Sequence, residues 1–267
     1  MVLIFLILMP WTNVAWSQPL DPDPAVLSFE QSFQEGVKLY QNKDFEKARS
    51  SFEASLVKDP HNISVLTNLG MVFFEIGKKG LALAYLRRAL EIDADFRPAQ
   101  TAYNYVWSRL EVKELPHRLE TYESLRDYLL KPVSLSSYLW LGSLFFLLSG
   151  WLLIRFFGKR KRAFEEELPL PPFPTVGFMI MIIFITFFSL TLLKVYDLTL
   201  TRATITAEKV PMHTAPNENE ASLFELSQGL EVILRKSEAD WVQVTYPGGP
   251  TGWVKKTELM VTTDGSI

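Results

Sequence analysis

The sequence predicts a multidomain membrane protein in which an α-helical repeat solenoid, a two-helix transmembrane hairpin and a small all-β barrel follow one another. Three observations support this prediction. Two long uncharged runs lie at residues 132–154 and 168–193, a 34-residue period precedes them, and short alternating segments follow them. Helical periodicity and strand alternation indicate different secondary structures, so the chain divides into an α part and a β part around an apolar centre.

The apolar centre predicts transmembrane helices at residues 132–157 and 173–196. At about 1.5 Å rise per residue, each run crosses a hydrocarbon core of roughly 30 Å. Both runs are apolar on all faces, which is unusual for a core helix, although a buried helical pair in a soluble protein is the alternative. Because only residues 158–172 connect the helices, the segments before and after the hairpin should lie on the same side of the membrane.

The charges around the hairpin predict which side that is. The outer flanks carry only the scattered Lys131, Lys194 and Arg202. The connection is rich in basic residues that should determine topology, namely Arg155, Lys159, Arg160, Lys161 and Arg162. Short loops with many lysines and arginines stay in the cytoplasm, and acidic residues count little in this rule. We therefore expect a cytoplasmic loop at residues 158–172 and two extracytoplasmic domains.

The N-terminal residues 1–17 resemble a secretory signal peptide. A short apolar run is followed by Pro10, and Ala15 and Ser17 are placed for cleavage before Gln18. No basic residue precedes the run, so an uncleaved anchor, a buried helix and a start further upstream stay open. An acidic, proline-bearing linker is expected at residues 18–28.

Composition excludes several kinds of site. The chain has no cysteine, which rules out disulfides and thiolate metal sites and leaves the redox compartment open. Its net charge of -3 gives no indication of nucleic-acid binding. The three histidines, His61, His117 and His213, fall on different elements, and neither a phosphate-binding glycine loop nor a serine elbow is present. We expect no enzyme activity, no cofactor and no metal.

The 34-residue period is carried by residues of matching size. Equivalent positions are Gly36 and Gly70, Ala48 and Ala82, and Phe52 and Leu86. The pattern resembles two tetratricopeptide repeats, at residues 29–62 and 63–96, followed by capping helices at 97–131. The first repeat departs from the pattern at Ser32 and Glu35, where large apolar residues are usual. Small residues allow paired helices to approach closely, and neighbouring pairs must stack to bury their apolar faces.

This resemblance implies a concave groove, lined by the first helix of each pair. The corresponding positions are Phe33, Val37, Tyr40, Thr67, Asn68, Met71, Phe74 and Tyr105. Most of these side chains are apolar or aromatic, and such a surface suits a hydrophobic or extended peptide segment. For each of them, ordinary packing between helices is the alternative.

Residues 203–263 change to short alternating segments, ATITA, LEVILR, WVQVTY and GWVKK, separated by turn signals. This spacing predicts a small all-β barrel. The segment resembles a bacterial SH3-like domain, with Gly229 before one strand, Trp241 opening the next and Trp253 near the end. His213 and Ala215 replace the arginine and glycine that are usual in the first turn.

The SH3-like resemblance implies a shallow surface formed by Trp241, Tyr246 and Trp253. Aromatic side chains of this kind hold peptide or wall-glycan stems in such domains. Packing in the core of a small domain is the alternative reading of the tryptophans. His213 has no partner histidine nearby in the sequence, so it indicates no metal site.

The order of segments resembles the BatE-type proteins of the Bacteroides aerotolerance operons. The resemblance implies a protein-interaction scaffold of the bacterial inner membrane, linked to envelope stress or aerotolerance. It also implies von Willebrand A-type membrane proteins as partners and, indirectly, a MoxR-type AAA+ ATPase. The alternative is a sensor or anchor that binds peptidoglycan through the SH3-like domain.

Overall fold

The computed structural model describes residues 24–110 and 121–263. The signal peptide predicted for residues 1–17 lies outside the described residues, as does most of the predicted linker at 18–28. The predicted capping helices are described on either side of residues 111–120.

Five helices form the N-terminal domain. They are α1 (Pro24–Gln41), α2 (Phe45–Lys58), α3 (Ile63–Glu75), α4 (Lys79–Ile92) and α5 (Arg97–Ser108). Helices α1 and α2 form one packed pair, α3 and α4 form the next, and α5 packs against the second pair. The Asn62 side chain caps α3 by accepting a hydrogen bond from the Val65 amide at 3.1 Å. Gly77, at φ +87°, ends the last turn after α3.

Two glycines explain why the helices of each pair lie close together. A Cβ atom on Gly36 would stand 2.7 Å from Phe52 Cε1, and one on Gly70 would stand 2.6 Å from Leu86 Cγ. Each glycine therefore receives a large side chain of the partner helix directly against its backbone. The same contact recurs one period later, which confirms that small residues allow the close approach within both helical pairs.

A short helix and a hairpin of long helices follow. Helix α6 (Thr121–Leu125) continues into a π-helical turn (Arg126–Leu130), and α7 (Leu135–Glu165) and α8 (Thr175–Thr199) complete the series. Both α7 and α8 are long and apolar enough to cross a membrane, and only 11% and 6% of their most apolar segments is buried within the described chain. This exposure is compatible with membrane insertion. The alternative, a helical pair buried in a soluble protein, would require other segments to pack around α7 and α8, and the described residues contain none that cover them.

Helix α7 ends later than predicted. The sequence places the end of the first membrane helix at residue 157, whereas the helix continues to Glu165 and carries the basic residues on its last turns. Lysine, arginine, alanine and glutamate are good helix formers, and Lys161 and Glu165 form an ion pair of 3.7 Å one turn apart. The helix ends where Glu167 adopts a left-handed conformation at φ +52° and the Leu168 amide donates a hydrogen bond to the Ala163 carbonyl at 2.8 Å. The non-helical connection to α8 is therefore shorter than residues 158–172.

The C-terminal domain is a seven-stranded antiparallel sheet with the order β3-β2-β6-β5-β4-β1-β7. The strands are β1 (Arg202–Ile205), β2 (Lys209–His213), β3 (Ser222–Ser227), β4 (Glu231–Glu238), β5 (Trp241–Thr245), β6 (Thr251–Lys255) and β7 (Leu259–Val261). One face buries an apolar core that includes Val210, Met212, Val232 and Val244.

The prediction of a closed barrel is wrong. Among the described residues, the edge strands β3 and β7 do not pair with each other, so the sheet is open. Strand β7 has only three residues, and both it and β1 contact α4. The helical domain thus covers this end of the sheet, and an edge covered in this way needs no strand partner.

At two positions in the contact between the domains, the backbone of a glycine lies close to atoms of the other domain. A Cβ on Gly80 of α4 would stand 2.4 Å from the carbonyl oxygen of Thr206, and one on Gly229 would stand 2.7 Å from Leu83 Cδ1. The Gly80 amide also donates a hydrogen bond to Gln228 Oε1 at 3.1 Å. The helical domain and the sheet are therefore docked closely against each other.

Candidate functional site

Of the predicted groove residues, Tyr105 is exposed, and the others are buried or half-buried. Thr67 is buried, and its hydroxyl donates a hydrogen bond to the Ile63 carbonyl at 2.7 Å. Asn68 uses its amide group in the same way, toward the Ser64 carbonyl at 2.9 Å. Both polar side chains are thus engaged with their own helix, which leaves them less able to bind a peptide.

Phe33, Val37 and Met71 are half-buried and pack against the core of the helical domain. The Phe33 ring meets the Phe52 ring edge-on, with centroids 5.7 Å apart. At this end of the groove, packing between helices accounts for much of the apolar surface.

The other end presents an aromatic row formed by Tyr40, Phe74 and Tyr105. The Phe74 and Tyr105 rings meet edge-on at 5.3 Å, and Tyr105 is 43% exposed. Burial raises the pKa of the Tyr40 hydroxyl, and the charges of Glu75 and Tyr105 raise it further. The Arg109 guanidinium lies 5.3 Å from the centre of the Tyr105 ring. The row therefore offers apolar faces beside one cation and one carboxylate.

A second candidate surface lies on the sheet. A groove of about 260 Å³ is lined by Pro211, His213, Glu218, Trp241, Lys255 and Glu258. His213 meets the Trp241 ring edge-on at 5.3 Å, and Lys255 Nζ lies 6.0 Å from the centre of the same ring. A hydrogen bond between Lys255 and Glu218 raises the pKa of the lysine and lowers that of the glutamate. The groove therefore combines an indole wall with charges of both signs.

The three predicted SH3-like surface residues are not equivalent. Trp241 lines the groove, whereas Tyr246 is buried in the core of the sheet. Trp253 is half-buried on β6, opposite Gln243 and His213 in the strand register. Tyr246 thus has a packing role in the structure, and the sequence signal for a buried tyrosine and an exposed one is the same.

The structure also contains a site that the sequence does not predict, which we call the junction cluster. It gathers charged residues from five elements: Arg87 and Glu91 of α4, Glu123 of α6, Arg126 of the π-helical turn, Asp197 of α8, and Arg202 and Glu231 of the sheet. Asp197 Oδ1 accepts hydrogen bonds from Arg126 Nε at 3.0 Å and from Arg202 Nη2 at 3.3 Å. Glu123 Oε1 lies 3.2 Å from Arg202 Nη2. The side chains of Arg126 and Arg202 are only 5% and 2% exposed, so the cluster is a buried ionic centre.

Arg87 extends the junction cluster into the interface between the domains. Its Nη1 donates hydrogen bonds to Thr204 Oγ1 at 2.8 Å and to the Gly229 carbonyl at 2.7 Å, and its Nη2 donates to the Tyr103 hydroxyl at 3.1 Å. The guanidinium also lies near the faces of the Tyr103 and Trp107 rings. One side chain thus joins the second repeat, the following helix and the sheet.

The members of the junction cluster keep one another ionised. Burial opposes the charge on Arg126, but the carboxylates of Glu231 and Asp197 outweigh it and raise the pKa of Arg126. The pKa of Arg202 is raised although burial and Arg126 act against it. Burial would raise the pKa of Glu231, yet the guanidinium groups of Arg87, Arg126 and Arg202 lower it. Each charge is therefore compensated where it is buried.

The basic residues predicted to determine topology form no such centre. Arg155, Lys159, Arg160, Lys161 and Arg162 are all exposed on the last turns of α7. Arg155 lies over the Trp151 ring at 4.7 Å. No group of three or more potential metal-binding side chains occurs within residues 24–110 and 121–263.

Comparison with known protein families agrees with the two domain types. Residues 63–96 match the family model of the tetratricopeptide repeat. These are the bounds that the sequence predicts for the second repeat. Residues 206–260 match the model of the bacterial SH3 domain. The chain thus contains a tetratricopeptide repeat, which indicates protein–protein interaction, and a bacterial SH3 domain, which indicates cell-wall binding.

Proposed function

We propose that the protein is a membrane-anchored extracytoplasmic scaffold without catalytic activity, which holds partner proteins through its tetratricopeptide domain. The aromatic row of Tyr40, Phe74 and Tyr105 is the observation that supports this proposal best. Tyr105 is the exposed member of this row, Tyr40 and Phe74 are half-buried beside it, and tyrosine and arginine are among the residues that contribute most to protein interfaces. Helices α7 and α8 supply the anchor, and the basic residues of α7 favour a cytoplasmic position for the connection between the two helices.

The proposal extends to the setting of the scaffold. The order of segments resembles the BatE-type proteins, which supports a place in the bacterial inner membrane beside von Willebrand A-type proteins, with a MoxR-type ATPase as an indirect partner. In this setting, the end of α7 and the connection to α8 are the parts that face the cytoplasm. A signal to a cytoplasmic ATPase passes either through this segment or through partner subunits.

The scaffold role is tested with a double variant of the aromatic row, Phe74→Glu with Tyr105→Glu. The matched control is Val57→Glu, because Val57 is 81% exposed on α2, outside the predicted groove. Crosslinking on intact membranes, followed by purification and mass spectrometry, should recover partners with the wild type and the control but not with the double variant. Equal recovery from the double variant and the control would refute the groove assignment.

A second candidate function is binding of peptidoglycan, and the groove beside Trp241 supports it. An indole wall with Lys255, Glu218 and His213 offers stacking and charge-assisted hydrogen bonds to a peptide stem or glycan. Detergent-solubilised full-length protein should be retained on purified wall material, and Trp241→Ala should reduce retention. Tyr128→Ala, which changes an exposed aromatic residue outside the groove, is the control. Retention of Trp241→Ala at the wild-type level would exclude this groove as the site that binds wall material.

A further inference from the structure

The π-helical turn between α6 and the hairpin exposes apolar side chains. Tyr128 is 83% exposed and Leu129 is 41% exposed, whereas the next residue, Leu130, is fully buried. On the last turns of α8, which contacts this turn, Tyr196 and Leu198 are 51% and 61% exposed. Exposed apolar side chains thus occur on both elements at the place where the domains meet the hairpin.

Both helices of the hairpin hold the π-helical turn. The Tyr138 hydroxyl of α7 donates a hydrogen bond to the Leu129 carbonyl at 2.8 Å. The Lys194 ammonium group of α8 donates a hydrogen bond to the Leu130 carbonyl. Because two successive carbonyls of the turn are bound by side chains from two different helices, the turn has a fixed position beside the hairpin.

The lysines at this end of the hairpin indicate the level of the turn in a membrane. Lys131 directly precedes the uncharged run 132–154, and Lys194 directly follows the uncharged run 168–193. Lysines at such borders keep their ammonium groups at the level of the lipid head groups. Lys194 binds the Leu130 carbonyl, and Lys131 is the next residue of the chain. The turn therefore lies where the hydrocarbon core ends and the head groups begin.

We propose that the turn Arg126–Leu130 is a second membrane contact, in which Tyr128 and Leu129 insert into the interface of the lipid bilayer. Their exposed surface is continuous with the exposed apolar surface of the hairpin, and tyrosine is enriched at this level because its ring is apolar and its hydroxyl is polar. Asp127 precedes Tyr128 in the sequence, and a carboxylate is tolerated among head groups but costly in hydrocarbon. The contact is therefore shallow, and it holds the junction cluster, which includes Arg126, next to the head groups.

This inference rests on the membrane insertion included in the proposed function, and one experiment separates the two. The chain has no cysteine, so a spin label can be attached at a single introduced cysteine of the full-length protein. The test position is Tyr128→Cys. The matched control is Val57→Cys, because Val57 is 81% exposed on α2. The control for insertion is Leu147→Cys, because Leu147 is 67% exposed within the uncharged run of α7.

The labelled proteins are reconstituted into phosphatidylcholine vesicles with a water-soluble nickel chelate on both sides of the bilayer. Electron paramagnetic resonance compares the collisions of each label with the chelate and with oxygen, which concentrates in hydrocarbon. The label at Tyr128→Cys should lose most of the chelate collisions measured at Val57→Cys, and it should collide with oxygen less often than the label at Leu147→Cys. Melting temperatures of the variants confirm that each is folded.

Four results would overturn the assignment. Equal chelate access at Tyr128→Cys and Val57→Cys, with Leu147→Cys protected, would refute the second contact and leave the anchor intact. Oxygen access at Tyr128→Cys as high as at Leu147→Cys would place the turn in the hydrocarbon core instead of the interface. Protection of Tyr128→Cys that disappears when the protein is diluted with lipid would show that a second copy of the chain, and not lipid, covers the turn. Equal chelate access at Leu147→Cys and Val57→Cys would refute the anchor itself.

Discussion

The basic end of α7 and the junction cluster are both rich in charge, but their environments are opposite. At the end of α7, Arg155 and Lys159 to Arg162 lie close together in the sequence and are exposed. In the junction cluster, the arginines come from distant segments, are almost fully buried, and each faces at least one carboxylate. Contiguous exposed charge is thus visible in the sequence, where it carries our prediction of topology, whereas the dispersed charges of the junction cluster meet only on folding and join the domains.

The physical difference lies in solvation. An exposed ion pair such as Lys161 with Glu165 gains little, because water screens both charges. A buried charge has lost its hydration and depends on its partner, so removal of one member leaves the other uncompensated. Substitutions in the two regions should therefore have very different effects on stability, and the following predictions begin with the largest.

Asp197→Asn should cause the largest loss. Asp197 accepts hydrogen bonds from Tyr122, Arg126 and Arg202, and its replacement leaves two buried guanidinium groups with less negative charge. We expect a decrease of about 3–5 kcal/mol in the free energy of unfolding. Denaturant titration of the detergent-solubilised chain, followed by tryptophan fluorescence, measures it. Glu165→Gln is the exposed control, and a loss of equal size in that variant would contradict the distinction between the two regions.

Gly80→Ala tests whether the junction cluster depends on the docking of the two domains. The added Cβ would stand 2.4 Å from the Thr206 carbonyl oxygen, so α4 must move away from the sheet. Overpacking of this kind costs about 1–3 kcal/mol, and part of the cost should appear as weakened contacts of Arg87. A double-mutant cycle with Arg87→Met should show that the two effects are not additive. Gly158→Ala is the control, because an added Cβ meets no neighbour there. Strict additivity of Gly80→Ala and Arg87→Met would show that the junction cluster does not depend on the docking of the two domains.

Glu231→Gln should have a smaller effect that depends on pH. Burial opposes ionisation of Glu231, but three arginines lower the pKa of its carboxyl below the usual value of 4.5. Its contribution is therefore fully present above about pH 4.5 and is lost as the pH falls through the pKa of the folded state. At neutral pH, the wild type should be more stable than Glu231→Gln by about 1 kcal/mol. Thermal melting between neutral and acidic pH should show this difference shrink, and a constant difference would exclude the ionised carboxylate as its source.

The sequence predicts those parts of the fold that depend on local pattern. The second repeat matches the bounds expected from the 34-residue period, because Gly70 and Leu86 record a contact between neighbouring helices. Strands β3 and β7 have no clear alternation, and the open sheet follows from contacts with α4 that no local pattern encodes. Arg202 looks in the sequence like one of several scattered basic residues beside the hairpin.

The candidate surfaces were predictable to a similar extent. Tyr40, Phe74, Tyr105 and Trp241 follow from the spacing of their repeat or domain, whereas burial of Tyr246 depends on the finished core. Charge pairing across 71 positions, as between Arg126 and Asp197, leaves no local signal at all.

The smallest effect on stability should come from the basic end of α7, where we expect the charges to act on orientation instead. Replacement of all five basic residues with glutamine removes one exposed ion pair and the contact of Arg155 with the Trp151 ring, and each of these contributes about 1 kcal/mol or less. The same change removes the charge asymmetry that favours a cytoplasmic connection.

Because the chain has no cysteine, Ser237→Cys on exposed β4 gives a single labelling site. A membrane-impermeant maleimide should label this site in spheroplasts that carry the wild-type background, and labelling should fall in the glutamine variant although its melting temperature is nearly unchanged. Unchanged labelling would mean that the folded domains, and not the basic residues of α7, determine the orientation.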